Sequence, residues 1–217
     1  LVCLVGSEMC IRDSFPVNAT DFDGDVSNNI TLPITVVDDV PAIVKVTDSS
    51  QQTADEDDLA GGSDTTSSDS TVLTGGFEVV DGADEIVSYQ VSDLNSVVSG
   101  LTSNGQNIEL NLVSTVGGVT SYEAVITGTS TKIFTLSLDA NNDSYQFELL
   151  GPIDHDAVQG ENNLVIDIPI TVTDFDGDTS SSLNLPITIV DDIPEITSAD
   201  ALSLDEDDLV NLSLIHI

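Results

Sequence analysis

The chain has 217 residues, with 39 acidic and three basic side chains and a formal net charge of −36 at pH 7. Such an excess of carboxylates repels nucleic acid and anionic membrane surfaces, so neither is expected as a partner. No segment approaches the roughly 20 apolar residues of a membrane-spanning helix, and membrane insertion is not expected. The hydrophobic fraction of 40% lies in strand-like patterns, which favours a folded core over disorder.

Both chain ends resemble translated sequencing adapter. Residues 4–14 read LVGSEMCIRDS and residues 212–217 read LSLIHI, and a back-translation of the second is the reverse complement of the end of the first. The apolar start is too short for a signal peptide and lacks a basic region. We therefore expect segments 1–14 and 212–217 to be non-native. The remainder has no cysteine, one histidine, 37 acidic and two basic residues.

The absence of native cysteine restricts how the fold can be reinforced. Neither a disulfide framework nor a thiolate metal site is available. Calcium is the candidate cofactor, because a hard cation prefers carboxylate and carbonyl oxygens and would relieve the self-repulsion. The alternative is that the acidic residues only keep a secreted surface soluble, and composition does not decide between the two.

An internal repeat divides the chain. Residues 15–43 align without gaps with residues 168–196, with 17 of 29 positions identical at a spacing of 153. The pentapeptide DEDDL also recurs, at 55–59 and 205–209. This organisation predicts the C-terminal strands of a preceding repeat at 15–40, a complete repeat at 41–193 and the start of a third at 194–211.

Within the complete repeat, apolar and polar residues alternate in short runs separated by Gly, Asn, Asp and Ser clusters. This pattern predicts strands joined by tight loops, and no helical period is evident. About ten such strands favour an all-β fold, an immunoglobulin-like β-sandwich. Pro169 and Pro186 fall on outward strand positions, which predicts an edge or a bulge at each. The predicted inward residues are Ile108, Leu110, Leu112, Tyr145, Phe147, Leu149, Leu164, Ile166, Ile168, Ile170, Val172, Leu183, Leu185, Ile187 and Ile189.

The motif DFDGD supplies carboxylates at alternate positions directly after a predicted strand. Alternate carboxylates can converge on one calcium ion, and Gly177 permits the turn. Leu185 stands where an EF-hand would carry its bidentate Glu, so the motif is not an EF-hand. The alternative is a solvated Asp-rich turn. The candidate ligands are Asp174, Asp176 and Asp178, with Asp21, Asp23 and Asp25 in the earlier copy.

Strand direction predicts which acidic motifs can meet. The strands that end at Thr173 and Val190 should be antiparallel, which separates the DFDGD loop from Asp191 and Asp192 by roughly 25 Å. These groups cannot share an ion. The loop should instead face the equivalent pair of the preceding repeat, Asp38 and Asp39. We hypothesise a calcium site at this junction.

The DEDDL segments are a further candidate. They either add calcium ligands or form solvated strand ends, and their position on the fold does not follow from the sequence. The candidate ligands are Asp55, Asp57, Asp205 and Asp207. Asp154 and Asp156, in GPIDHD, are weaker candidates.

Taken together, TDFDGD, the VVDDVP strand ending, DEDDL and GPIDH resemble the roughly 150-residue tandem repeats of giant RTX-type adhesins exported by bacterial type I secretion. The resemblance covers essentially all of the native chain. It implies calcium ligation by the DFDGD aspartates and by those before Pro41 and Pro194. It also implies an extracellular or cell-surface location, with neighbouring repeats of the same chain as partners and surface glycans or host and biofilm matrix contacted through other domains.

The sequence favours two other functions less. An enzyme is not expected, because the chain has no Trp, few aromatic residues and no nucleophile motif beside His155, for which loop packing or a position next to calcium is favoured. A lectin-like or other ligand-binding adhesive module is the alternative. Repetition with acidic junctions favours a structural stalk.

Overall fold

The computed structural model describes residues 11–47, 53–63, 70–157, 160–194 and 196. The all-β prediction is confirmed: within these ranges the only helical segments are the four-residue helix α1 (Leu94–Val97) and one 3-10 turn (Glu56–Asp58). No helix among them is long and apolar enough to cross a membrane. The strands are β1 (Ile11–Val17), β2 (Ile30–Val36), β3 (Ala42–Thr47), β4 (Thr53–Asp55), β5 (Val72–Val80), β6 (Ile86–Val91), β7 (Thr102–Ser103), β8 (Gln106–Val116), β9 (Val119–Ile126), β10 (Lys132–Asp139), β11 (Ser144–Leu149), β12 (Asn163–Asp174) and β13 (Leu183–Val190).

Strands β3 to β13 form two sheets. The larger has the order β3-β5-β11-β10-β9-β8-β7 and the smaller β4-β13-β12-β6. Neighbouring strands are antiparallel except β4, which runs parallel to β13. Strands β1 and β2 form a separate antiparallel hairpin.

Both sheets contribute to one hydrophobic core. Side chains alternate between buried and outward along β12 and β13, as the period-two pattern predicts. Leu112 departs from the prediction: it is 54% exposed, and the β8–β9 register shifts next to it. The largest fully buried side chains are Tyr89, Phe134, Phe147, Ile133, Leu136, Leu138, Leu149, Ile166, Ile168, Ile170, Leu185 and Ile187.

The two strand prolines lie where pairing stops on one side. Pro169 pairs with β13, and pairing of β12 with β6 begins only at Ile170. Pro186 pairs with β12, and pairing of β13 with β4 begins at Thr188. A missing amide donor is tolerated at such positions because no ladder hydrogen bond is lost.

The β1–β2 hairpin reproduces the β12–β13 pairing with the same register, displaced by 153 residues on both strands. Its burial differs. The inward side chains of β13 are fully buried, whereas their counterparts Leu32, Ile34 and Val36 on β2 are 41–56% exposed. The hairpin thus has the pairing of the last two strands of a repeat, and no other sheet of the described ranges covers its apolar face. Strand β1 begins at Ile11, inside the segment predicted to be adapter-derived.

The duplicated hairpin allows a matched test of core packing. Ile187→Ala removes a fully buried side chain and should lower the free energy of unfolding by about 2 to 5 kcal/mol. Ile34→Ala, at the equivalent position of β2, should cost less than about 1 kcal/mol. Urea denaturation followed by circular dichroism measures both. Equal losses would show that the hairpin has a buried face after all.

Candidate metal centre at the repeat junction

The antiparallel pairing of β12 with β13 separates the two acidic motifs, as the sequence predicts. Ile170 pairs with Leu183 near the DFDGD loop, and Asn163 pairs with Val190 at the other end. We call the end that holds residues 174–178 the DFDGD end and the end that holds Asp191 and Asp192 the VDD end.

Asp174 organises the DFDGD loop from within. Its side chain is buried, and Oδ1 accepts hydrogen bonds from the backbone N–H groups of Gly177 (3.1 Å) and Asp178 (2.8 Å). Gly177 has φ +107°, a conformation that side chains other than glycine rarely adopt. This turn fixes the positions of Asp176 and Asp178 on either side of the glycine.

The loop meets an aspartate of the preceding segment. Carboxylate oxygens of Asp38, Asp176 and Asp178 all lie within 4.8 Å of one another. Calcium–oxygen bonds of 2.3 to 2.6 Å place ligands on one ion at most about 5 Å apart, so this spacing fits. The structure therefore brings together Asp176, Asp178 and Asp38 of the predicted junction. Asp174, also predicted as a ligand, is not in this group, and Asp38 rather than Asp39 lies beside the loop.

Asp39 is held by the loop between β5 and β6. Its carboxylate accepts a hydrogen bond from the backbone N–H of Ala83 at 3.0 Å. Gly82, with φ +79°, leaves room for this contact, because a Cβ there would collide with the Asp39 carboxylate. Oxygens of Asp38, Asp39 and Asp84 form a second group within 4.8 Å. The sequence reasoning missed Asp84, which lies in no repeated motif.

These acidic groups repel one another. The pKa of Asp176 rises to about 6, through a hydrogen bond with Asp174, partial desolvation and the negative charges of Asp38, Asp174 and Asp178. The lysines of the described residues do not offset this charge: Lys45 pairs with Glu78, and Lys132 pairs with Glu123. A donor set made of several carboxylates suits a hard divalent cation.

Among the described residues, no carboxylate of another segment joins the earlier DFDGD copy. Oxygens of Asp21, Asp23 and Asp25 lie within 4.8 Å of one another, and all three side chains are exposed. The pKa of Asp21 is lowered by hydrogen bonds, first from Asp23 and then from backbone N–H groups. This copy provides a matched control for the loop at 174–178.

The VDD end contains the DEDDL segment, whose position the sequence did not predict. Parallel pairing of β4 with β13 joins Asp55 to Val190, and the 3-10 turn that follows lies next to Asp191 and Asp192. Asp55 caps this turn, since Oδ1 accepts the backbone N–H of Asp57 at 3.1 Å. Asp205 and Asp207, in the second DEDDL copy, lie outside the described residues.

Asp57 and Asp192 form a carboxyl pair at this end. Desolvation, followed by the hydrogen bond to Asp192, raises the pKa of Asp57 to about 6. The pKa of Asp192 is lowered by hydrogen bonds, first from Ser63. The pair therefore takes up a proton as the pH falls through about 6, and the proton goes to Asp57 while the charge stays on Asp192.

Asp154 has a structural role. Its carboxylate accepts the hydroxyl of Thr102 at 2.6 Å and the backbone N–H groups of Asn104 and Gly105, each at 2.7 Å. These hydrogen bonds hold the pKa of Asp154 below its ordinary value. Asp156 is exposed.

Without calcium, the protein should gain stability as the pH falls from 8 to 5. The pKa values of Asp57 and Asp176 are raised to about 6 in the folded state, so their contribution is present below the ordinary value of 3.8 and is lost as the pH rises through 6. Below pH 4 the trend should reverse, because carboxylates such as Asp139 and Asp154 have lowered pKa values. Urea denaturation in EDTA across this range tests it, and stability that falls between pH 7 and pH 5 would contradict it.

Asp176→Asn should have opposite effects in the absence and presence of calcium. In EDTA at pH 7 the substitution removes a repelling charge and should raise Tm. In saturating calcium it removes a ligand and should reduce the calcium-induced rise in Tm by about half or more. Asp23→Asn, at the equivalent position of the earlier copy, is the control and should change both values much less. If Asp176→Asn and Asp23→Asn changed Tm equally in both conditions, the junction would not be the source of the calcium effect.

Comparison with known proteins gives a family and no function. No curated protein and no solved structure matches the chain. The family model described as Domain of unknown function (DUF5801) matches residues 44–185, which include the DFDGD loop at 174–178 and end inside β13, before Asp191 and Asp192. The chain belongs to the DUF5801 family.

Proposed function

We propose that this chain is a calcium-binding structural extender repeat of a large secreted bacterial surface adhesin, in which calcium rigidifies the junctions between repeats. Each repeat is an immunoglobulin-like β-sandwich, and its partners are neighbouring repeats of the same chain. The parent protein lies outside the cell or at its surface. Contacts with surface glycans or with host and biofilm matrix belong to its other domains.

The observation that carries the proposal is the meeting of carboxylates from segments that belong to different repeats. Asp38 follows the last strand of the preceding copy, whereas Asp176 and Asp178 belong to the complete repeat. Five carboxylates crowd this junction, the other two being Asp39 and Asp84. Without a cation, the mutual repulsion of these carboxylates costs electrostatic free energy. A divalent ion bound between them would attract carboxylates of both segments and so hold the segments together.

The duplicated hairpin supports a tandem arrangement. The β1–β2 and β12–β13 pairs have the same register at a fixed spacing, and only the β1–β2 copy exposes its apolar face. Both features are expected when one unit of a repeat array is incomplete. In such arrays each unit contacts only its neighbours, and the junctions then control stiffness.

A glycan-binding module is less well supported. Sugar sites usually have exposed aromatic walls, but the chain has no Trp, and its three tyrosines, Tyr89, Tyr122 and Tyr145, are buried. Phe22 and Phe175 are exposed, one in each DFDGD loop. Their placement at the junctions favours contacts between repeats.

Calcium should raise Tm beyond the effect of matched ionic strength. The gain should follow RT ln(1 + [Ca²⁺]/Kd), with Kd of about 10⁻⁴ to 10⁻³ M as is common for extracellular modules. Thermal melts in calcium, in magnesium and in sodium chloride of equal ionic strength measure it. Equal shifts in all three would refute calcium binding.

Asp38→Asn tests the junction separately. Because Asp38 comes from the preceding segment, its loss should weaken calcium binding and abolish the calcium-dependent slowing of amide hydrogen exchange at residues 37–42. Asp25→Asn, in the exposed loop, is the control. Normal calcium-dependent protection in the Asp38 variant would leave calcium binding intact but refute the shared junction.

A further inference from the structure

The VDD end holds a cluster of different chemistry from the junction. Ligand atoms of Glu56, His155 and Asp191 lie within 4.8 Å of one another. They come from the DEDDL segment, the GPIDH loop and the residue after β13, which are far apart in sequence. Glu56 is buried, and its Oε1 accepts the backbone N–H of Ile153 at 2.8 Å, which fixes the carboxylate.

Hydrogen bonds orient the histidine. Asn162 donates its side-chain N–H to Asp191 Oδ2 at 3.0 Å, which turns its Oδ1 towards the ring, 3.2 Å from His155 Nδ1. An amide oxygen can only accept, so Nδ1 must carry the proton. In the neutral ring, Nε2 then presents a lone pair.

That lone pair points at a carboxylate. The side chain of His155 is only 3% exposed, and Nε2 lies 3.6 Å from Glu56 Oε1, too far for a hydrogen bond. Nε2 is buried and has no hydrogen-bond partner. Two acceptors facing each other in a buried position are unfavourable unless a proton or a metal ion lies between them.

The geometry fits a metal ion. Zinc bonds of about 2.0 to 2.2 Å to nitrogen and oxygen place two tetrahedral ligands about 3.3 Å apart, close to the observed 3.6 Å. The imidazole nitrogen favours a transition metal over calcium, which prefers oxygen ligands. Asn162 and Ile153 supply the outer hydrogen bonds that commonly hold metal-binding His and carboxylate side chains.

We propose that Glu56, His155 and Asp191 bind a divalent transition-metal ion, for which Zn²⁺ is the best fit, at the VDD end of the repeat. The ion ties the DEDDL segment and the GPIDH loop to the end of β13, and so fixes the direction in which Asp191 and Asp192 are presented. This site uses a different ligand set from the calcium junction.

Zinc titration of the full chain tests the proposal. The protein used carries Cys3→Ser, Cys10→Ser and His216→Gln, which remove the thiolates and the second imidazole as competing ligands. Millimolar calcium is present throughout and occupies the clusters that contain only carboxylates. Calorimetry should find one zinc per chain, and His155→Gln or Glu56→Gln should weaken binding by more than about tenfold. Asp156→Asn, a neighbouring exposed carboxylate, is the control and should bind zinc normally.

Nitrogen-15 NMR of the remaining histidine gives a readout that does not depend on a variant folding. Zinc should shift the Nε2 resonance of His155 and leave Nδ1 protonated, whereas magnesium should shift neither. An Nε2 resonance that titrates with pH but ignores zinc would assign the position to a proton and overturn the proposal. Zinc affinity unchanged in a folded His155→Gln variant would overturn it as well.

Discussion

The antiparallel pairing of β12 with β13 determines where every acidic motif can act. The DFDGD loop lies at one end of this strand pair, and Asp191 and Asp192 lie at the other end. A cation that uses the DFDGD loop therefore has to find its remaining ligands outside this pair of strands. A carboxylate oxygen of Asp38, from the preceding segment, lies within 4.8 Å of the Asp176 and Asp178 oxygens and is in position to be such a ligand.

The two ends differ in ligand chemistry although both are acidic. The DFDGD end offers carboxylates, and their crowding contributes to the raised pKa of Asp176. The VDD end adds an imidazole, buried beside Glu56. Because calcium and zinc differ in their preference for oxygen and nitrogen, ends with these donor sets can discriminate between the ions even when both are present.

Sequence patterns predicted the repeated and alternating features well. Period-two runs identified the inward faces of β12 and β13, since burial of one sheet face imposes that alternation. Antiparallel direction correctly separated the DFDGD loop from Asp191. The meeting of Asp38 with Asp176 followed from the same reasoning, because it needed only strand direction and the repeat spacing.

What the sequence did not predict depended on contacts between distant segments. Asp84 reaches the junction through the β5–β6 loop, and nothing in its local sequence marks it. The DEDDL segment pairs in parallel with β13, a long-range contact without a local pattern. The sequence favoured loop packing or a position next to calcium for His155. The tautomer of this histidine depends on Asn162, and their contact is visible only in the structure. The only sequence signal for Glu56 was that the same Glu recurs in the second DEDDL copy of the chain.

The exposed face of the β1–β2 hairpin has a consequence for any protein built from such units. A strand pair with half-exposed Leu32, Ile34 and Val36 is a surface that other chains can cover. A continuous array hides this surface inside every unit, so the hazard is confined to a unit that is cut or incompletely synthesised. In the proposed tandem array, proteolytic cleavage between β11 and β12 would expose this surface and favour self-association, so resistance of that connection to cleavage would be as important as the strength of the junctions.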